Sequence, residues 1–503
     1  MYSIHPVIKR YAWGSYIRLQ EMFSLDLAER SASTEMPVGE ARDGGPIAEM
    51  WFSGHAQYPS IVDVTGAPES GLRPSGGSLS GVQSPTLQAW QQAGGTPVAL
   101  TDLIRSDPEA MLGLRCSNEF GPVLPYLLKV ISARIPLSLQ VHPVDFRARA
   151  GFNEENAERK PMDAPDRSFK DVVAKNEMIV ALQPFSACVG FASPTFMLSN
   201  LVLVDHPVAR RMVMALKPPS HHGVFGASYP DSSANVDQEF ADANSMMPMA
   251  SMSWQPSRKR VFRAFHAAVT AGTVFGLHDA LQQAASQVSH ERSQLAFRHA
   301  LAAAEAFEGD PSVLALLMMN PIELEEGESV FIPAGTPHAY IHGTGVEVMT
   351  NSDNVLRAGM TVKHKDVPNL LQNLDCNPAP PIDPSVSWID ELGALFGNRV
   401  VYRPHINEFV LSYGRVGGGH HPWPMMERIV RHYGRLMALR SRFPGECGPR
   451  IVLCLDGRVR VSDETNEMIL RRGEAVFVPD CDGRIQIDSD GDPGSFIVAS
   501  TQI

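Results

Sequence analysis

Three short segments carry side chains suited to holding a divalent metal. Gln140-Val141-His142 ends a strand-like run, and Pro143 stops it. Residues i and i+2 of a strand face one side, so Gln140 and His142 can point together into an interior. His338 follows the turn Pro333-Ala-Gly-Thr-Pro337 and opens a new strand-like stretch, His338-Ala-Tyr340. Glu177, in Ala174-Lys175-Asn176-Glu177, stands just ahead of an apolar run. An acidic residue at such a boundary is ordinarily a solvated end, and its neighbours alone do not single it out. Two imidazoles, one carboxylate and one amide form an N/O donor set that suits Zn²⁺ or another first-row divalent ion. With one anionic ligand the ion keeps much of its charge and can polarise a carbonyl or hydroxyl oxygen.

Strands must position these side chains. Residues 121–142 (GPVLPYLLKVISARIPLSLQVH) and 178–191 (MIVALQPFSACVGF) hold apolar or β-branched runs broken by Pro, which predicts buried strands. Between about 194 and 316 the pattern is helical. Ala264–Ala271 and Leu277–Phe307 are Ala-rich, the second with Gln, Glu and Leu at near-helical spacing. Ser228–Trp254, with Met246, Met247, Met249 and Met252, reads as an exposed loop, as do residues 30–47 and the Gly/Ser/Pro-rich residues 63–86.

After Pro321 the strand pattern returns, and one unit occurs twice: L-E-E-G-E-S-V-F-I-P at 324–333 and L-R-R-G-E-A-V-F-V-P at 470–479. This internal repeat of a hairpin unit predicts a mainly β chain with two cupin or jelly-roll-like β-barrel domains and an inserted α-helical domain. The boundaries fall at 1–193 plus 317–375 for the first barrel, 194–316 for the insertion and 376–503 for the second barrel. The turn after the second copy, Pro479-Asp-Cys-Asp-Gly483, has no histidine where the first leads to His338. The fold is kept in both copies and the candidate ligand in one, which favours function for His338.

The 503 residues suit two to four domains. A net charge of −12 argues against a nucleic-acid surface but not against a phosphorylated ligand, because a cleft can carry the opposite local charge. The six cysteines are scattered, with no C-x-x-C pair, and read as free thiols in a reducing compartment. No secretion signal and no apolar run of about 18 residues is visible. The expectation is a cytoplasmic monomer or weak homo-oligomer with no membrane or nucleic-acid partner.

An ordered series of segments resembles type I phosphomannose isomerases. It runs Tyr11-Ala-Trp-Gly-Ser15, Ala48-Glu-Met-Trp-Phe-Ser-Gly-His55, Leu137-Ser-Leu-Gln-Val-His-Pro143, Gly151-Phe152, Glu155-Asn-Ala157 and Pro161-Met-Asp-Ala164. It continues through Lys175 and Glu177, Ile332 to Tyr340, Val346-Glu-Val-Met349 and Asn351-Ser-Asp-Asn-Val-Leu-Arg-Ala-Gly359. The resemblance implies one zinc ion per chain on Gln140, His142, Glu177 and His338, and a catalytic arginine at Arg357. Two departures stand out: the family's H-K-P-E reads Ala174-Lys-Asn-Glu177, and its T-P-K reads Thr361-Val-Lys363.

The implied reaction interconverts an aldose and a ketose phosphate, mannose 6-phosphate and fructose 6-phosphate, by moving a proton between C1 and C2. It needs an electrophile for the developing oxyanion, a base, and a cationic clamp for the phosphate. Arg357 and Lys363 are candidates for the phosphate or the oxyanion. Lys175 and Glu347 are candidates for acid and base. Ser138, on the strand face of Gln140, can touch the phosphate, and Trp13 can wall the pocket or pack the core. A non-catalytic metal-containing cupin that binds a sugar phosphate, or an isomerase of another sugar phosphate, stays open as an alternative.

Overall fold

A computed structural model describes residues 1–25, 45–64, 96–218, 238–389, 399–417, 423–433, 437–439 and 447–503. It is mostly sheet, with helices. The loops expected at 30–47 and 63–86 fall largely outside the described residues.

The strands of the first half are β1 (Tyr2–His5), β2 (Val7–Lys9), β3 (Glu49–Ser53), β4 (Ile61–Val64), β5 (Thr96–Ala99), β6 (Tyr126–Ala133), β7 (Leu139–Val141), β8 (Glu177–Ala181) and β9 (Phe185–Phe191). After the helical segment come β10 (Met319–Leu324), β11 (Ser329–Ile332), β12 (His338–Thr350) and β13 (Leu356–Gly359). The C-terminal part adds β14 (Ser385–Ile389), β15 (Arg399–Arg403), β16 (Val410–Val416), β17 (Met437–Leu439), β18 (Arg450–Asp456), β19 (Arg458–Ser462), β20 (Glu467–Arg471), β21 (Ala475–Val478), β22 (Gln486–Ser489) and β23 (Gly494–Ser500).

One ten-stranded sheet contains β2, β3 and β6 through β13. The other runs β17-β14-β15-β16-β23-β18-β21-β1-β4-β5, so the N-terminal strands β1, β4 and β5 complete the C-terminal sheet. The longest strand, β12, spans both walls of the first sheet: its start pairs with β7 and β9 and its end with β6 and β8. Gly343 stands where it changes partners, at φ 129°, and a Cβ there would come within 2.5 Å of the Pro184 carbonyl oxygen. Only glycine tolerates both demands.

Strand alternation then sorts side chains. Met50, Phe52, Leu128, Val130, Met178, Val180, Val346 and Val348 face the second sheet and share a core with Ile451, Leu453, Phe477 and Ile497. Their neighbours Glu49, Lys129, Glu177 and Glu347 take the opposite face. On the other wall, Leu139, Val141, Ala339, Ile341, Leu356 and Ala358 pack on the helices. That leaves Gln140, His338, Tyr340 and Arg357 for the interior.

The helical segment comprises Pro194–Leu201, Pro207–Leu216, Pro256–Val269, Leu277–Ala285 and Glu291–Ala306. The long stretch predicted over Leu277–Phe307 is two helices, broken at the polar run Ser286-Gln-Val-Ser-His290. Of the loop expected at Ser228–Trp254, residues 228–237 lie outside the described residues, and the rest is not simply a loop: Ala241–Ser245 is helical and Met249–Ser253 forms a 3₁₀ turn. The reason is packing, since Met246 and Met247 join the helical core, while Met249 and Met252 remain exposed.

The repeated unit folds alike in both copies. Gly327 and Gly473 take φ of 85° and 83°. Glu328 and Glu474 each donate a backbone N–H three residues back, to Glu325 and Arg471, at 2.9 Å. Each of these glutamates also accepts the N–H of that same residue on its carboxylate. The unit is, however, a corner and not the hairpin expected from its sequence. Among the described residues β10 pairs with β9 and β11 with β8, while β20 pairs with β19 and β21 with β18 and β1. The turn carries the chain from one strand partner to another. Inside the second copy, Val452, Cys454, Val476, Val478 and Val498 share one hydrophobic cluster, and among the described residues no group of three His, Cys, Asp or Glu donors gathers there.

Candidate metal centre and active site

Register brings the candidate ligands together. Gln140 on β7 sits opposite His338 of β12 on one side and Arg357 of β13 on the other. Glu177 opens β8, opposite Met349 of β12 and Ile332 of β11. His142, Glu177 and His338 are all buried, and one donor atom from each lies within 4.8 Å of the others.

The hydrogen bonds around the rings fix which nitrogen faces inward. His142 Nδ1 lies 2.7 Å from the Asn354 carbonyl oxygen, and His338 Nδ1 3.0 Å from that of Thr336. A carbonyl only accepts, so each ring donates there and turns the Nε2 lone pair inward. Those lone pairs meet a carboxylate: His142 Nε2 is 3.0 Å from Glu177 Oε1, and His338 Nε2 is 3.2 Å from Glu177 Oε2. Burial, then the nearby Lys175, pushes the His142 imidazole down to about 3, so the ring is neutral. Burial would raise the Glu177 carboxyl, but Lys175 and the two histidines outweigh it and hold it well below the usual range. Among the described residues, His142 Nε2 and Glu177 Oε2 have no hydrogen-bond partner. Acceptors facing acceptors in a buried space are costly unless a cation sits among them, and the donor set fits zinc. Gln140 stands beside them, its amide nitrogen 3.1 Å from His338 Nε2 and its Oε1 accepting from Ser138 Oγ at 3.2 Å.

The cluster lies behind a cavity of about 1150 Å³. Its lining includes Trp13, Ser138, Gln140, Lys175, Glu177, Glu347, Arg357 and Lys363, while His142 and His338 sit deeper. Lys175 Nζ is 2.9 Å from Glu177 Oε1. Arg357 is half-buried, and among the described residues no carboxylate lies in ion-pair distance of its guanidinium; burial lowers its pKa. Lys363 is exposed and lies over the Tyr11 ring, 4.5 Å from its centroid. Trp13 lines the cavity, stacks on Tyr11 and packs on the core beside Leu137.

Glu347 belongs to a row that the sequence reading missed. Trp51, Lys129 and Glu347 are opposite one another on β3, β6 and β12. Lys129 Nζ lies 3.0 Å from Glu347 Oε2 and 4.0 Å from Glu49 Oε1. Tyr340 donates to Glu347 Oε1 at 2.8 Å, and Trp51 donates to Glu49 at 2.7 Å. Burial raises the Glu347 carboxyl. Burial would lower the Lys129 ammonium, but Glu347 and Glu49 outweigh it and hold it up. A signal was present: Lys129 is the one charge in the apolar run Val123–Ile131, and a lone charge in a buried strand requires partners.

Asp353 was also missed. Its carboxylate lines the cavity and lies 2.8 Å from His55 Nε2. His55 Nδ1 accepts two backbone N–H groups, from Gln57 and Tyr58, which leaves Nε2–H to donate to Asp353. Ser352 and Asn354 flank it and both bond Asp171, so the S-D-N segment is a knot that fixes the Asn354 carbonyl under His142.

Fold and site together define a mainly β protein with a buried His/Glu/His cluster opening on a cation-lined cavity. Residues 84–193 match the phosphomannose isomerase type I catalytic domain. Mannose-6-phosphate isomerase of Escherichia coli is 30% identical over 367 residues, covering 73% of each chain. The Salmonella typhimurium enzyme of that name is 26% identical over 94% of this chain and 93% of its own, and the human one 25% over 95% and 93%. The chain belongs to the type I phosphomannose isomerase (mannose-6-phosphate isomerase) family. In fold it resembles a zinc-bound crystal structure of a mannose 6-phosphate isomerase, with TM-score 0.68 and 23% identity over 100% of this chain and 99% of that one.

Proposed function

We propose that this chain is a zinc-dependent isomerase that interconverts mannose 6-phosphate and fructose 6-phosphate. The observation that carries the reading is the pair of inward Nε2 lone pairs facing the buried Glu177 carboxylate. Gln140, His142, Glu177 and His338 are its four ligands. When bound, the ion supplies a Lewis acid for the oxygens at C1 and C2.

The chain's own residues do the rest. Arg357, which has no carboxylate partner among the described residues, holds substrate oxygens with charge-assisted bonds. Lys363 and Ser138 serve the phosphate, and the energy of that remote contact orients the reacting carbons. Glu347, with one oxygen on Lys129 and the other on Tyr340, is placed to hold a proton, and Lys175 to deliver one beside the ligands. Trp13 closes the wall.

The unit at 1–193 and 317–375 is read as the catalytic cupin-like barrel, 194–316 as its helical insertion and 376–503 as a second cupin-like barrel kept for packing. β1, β4 and β5 are lent to that second sheet. Among the described residues no helix is long and apolar enough to cross a membrane. Cys116, Cys188, Cys376 and Cys454 are free and buried, which suits a reducing, cytoplasmic setting.

The test is a coupled assay with mannose 6-phosphate on the zinc-loaded chain. Turnover abolished by chelator and restored by Zn²⁺ is expected. A zinc-loaded chain that binds the sugar phosphate without turning it over would establish the non-catalytic alternative instead.

A further inference from the structure

Asn176 lies between Lys175 and Glu177, where the motif that the chain resembles has proline, and it makes three bonds. Its N–H donates to Thr350 Oγ1 at 3.2 Å, and its carbonyl accepts from Thr350 N at 2.9 Å. Its side-chain Oδ1 accepts the N–H of Ala334 at 3.1 Å. A proline could supply neither the first bond nor the third.

The third bond reaches the turn that delivers His338. That turn is held from two sides: Ala334 N–H by Asn176, and Gly335 N–H by the carbonyl oxygen of His142 at 2.8 Å. One residue further on, the Thr336 carbonyl accepts from His338 Nδ1 and sets the ring's direction. The Glu177 segment, the His142 segment and the His338 turn are thereby locked to one another by side-chain and backbone bonds that lie outside the ligand set itself. Groups that orient ligands in this way influence metal affinity without touching the metal.

We infer that Asn176 is a positioning residue of the metal centre, which fixes the His338 turn against the strand of Glu177. The inference rests on the ligand assignment proposed above. The Oδ1 acceptor is the active feature, so removing it should loosen the centre and a replacement that keeps it should not.

The experiment measures Zn²⁺ dissociation constants by chelator competition for the full chain, Asn176→Ala and Asn176→Asp. The visible spectrum of the Co²⁺-loaded forms and the thermal midpoint of the metal-free forms are recorded alongside. The expectation is a 10–100-fold weaker Zn²⁺ affinity for Asn176→Ala, the range typical of an outer-shell partner. It should come with an altered Co²⁺ ligand-field spectrum and an unchanged metal-free midpoint, and Asn176→Asp should recover both affinity and spectrum. Unchanged affinity and spectrum in Asn176→Ala would overturn the inference, as would a weakening matched by an equal loss of metal-free stability. A parent chain that binds no Zn²⁺ would instead overturn the ligand assignment, and this inference with it.

Discussion

Gln140 and His338 are direct cross-strand partners, and the Gln140 amide nitrogen stands 3.1 Å from the His338 Nε2. Residues 198 positions apart in the chain are placed side by side by the register of two strands. The alternation of each strand turns Leu139 and Ala339 to the helical core and these two side chains to the interior. The strands thus supply a rigid frame for the ligands, of the kind a metal centre needs.

His338→Ala should remove a ligand and leave the Glu177 carboxylate facing one imidazole, that of His142, beside Lys175. Zinc affinity should fall by more than about 100-fold, beyond the loss expected for an outer-shell partner. Metal analysis after dialysis checks this; full zinc occupancy would contradict the ligand assignment.

Arg357→Ala should keep its metal and lose most of its turnover. Removal of one preorganised donor to a developing charge typically costs about 10²–10³-fold in kcat. Arg357→Lys should recover little, because an ammonium cannot give the forked contact. Steady-state kinetics on zinc-replete protein separates the two, and near-normal kcat in the alanine variant would reject the role.

Lys129→Met leaves Glu347 and Glu49 buried without their cation. Breaking a buried pair from one side costs about 3–5 kcal/mol. Adding Glu347→Gln should restore part of that stability, and denaturant unfolding of the three variants measures the coupling. Equal and additive losses would show that the pair is not coupled.

Asp353 governs a window of acid stability. Burial would raise its carboxyl, but the bond from His55 and the charges of Lys175 and Lys129 hold it down to about 2. A carboxyl depressed on folding contributes stability above its unfolded value of about 4. The contribution, about 2 kcal/mol, is lost as pH falls from about 4 through about 2. Unfolding of the chelated chain at pH 6 and pH 3 should differ less for Asp353→Asn than for the parent, and an unchanged difference would refute the assignment.

The two repeat corners should respond unequally to the same change. Alanine at φ near +85° costs about 1–2 kcal/mol at either Gly327 or Gly473. At Gly473 a Cβ would also come within 2.8 Å of the Met22 and Phe23 backbone, whereas at Gly327 it meets the flexible Met425 side chain at 2.6 Å. Gly473→Ala should therefore destabilise more than Gly327→Ala in thermal unfolding.

The sequence by itself determined what depends on short range. Apolar runs marked the strands that carry Gln140, Glu177 and His338, Ala-rich spacing marked the helical segment but not its break at 286–290, and the repeated L-x-x-G-E unit marked two matching turns but not that each turns a corner between sheet partners. It also placed the candidate ligand in one copy only, and among the described residues the second copy gathers no matching donor group. Tertiary structure decided what depends on which strands become neighbours. Pairing of β3, β6 and β12 made one row of Trp51, Lys129 and Glu347, and loop packing set His55 on Asp353 and Asn176 on the turn before His338. Glu177 shows the division most plainly: a carboxylate ahead of an apolar strand looks solvated in sequence. Only the burial of that strand end between β11 and β12 turns it toward two imidazoles and makes it a candidate ligand.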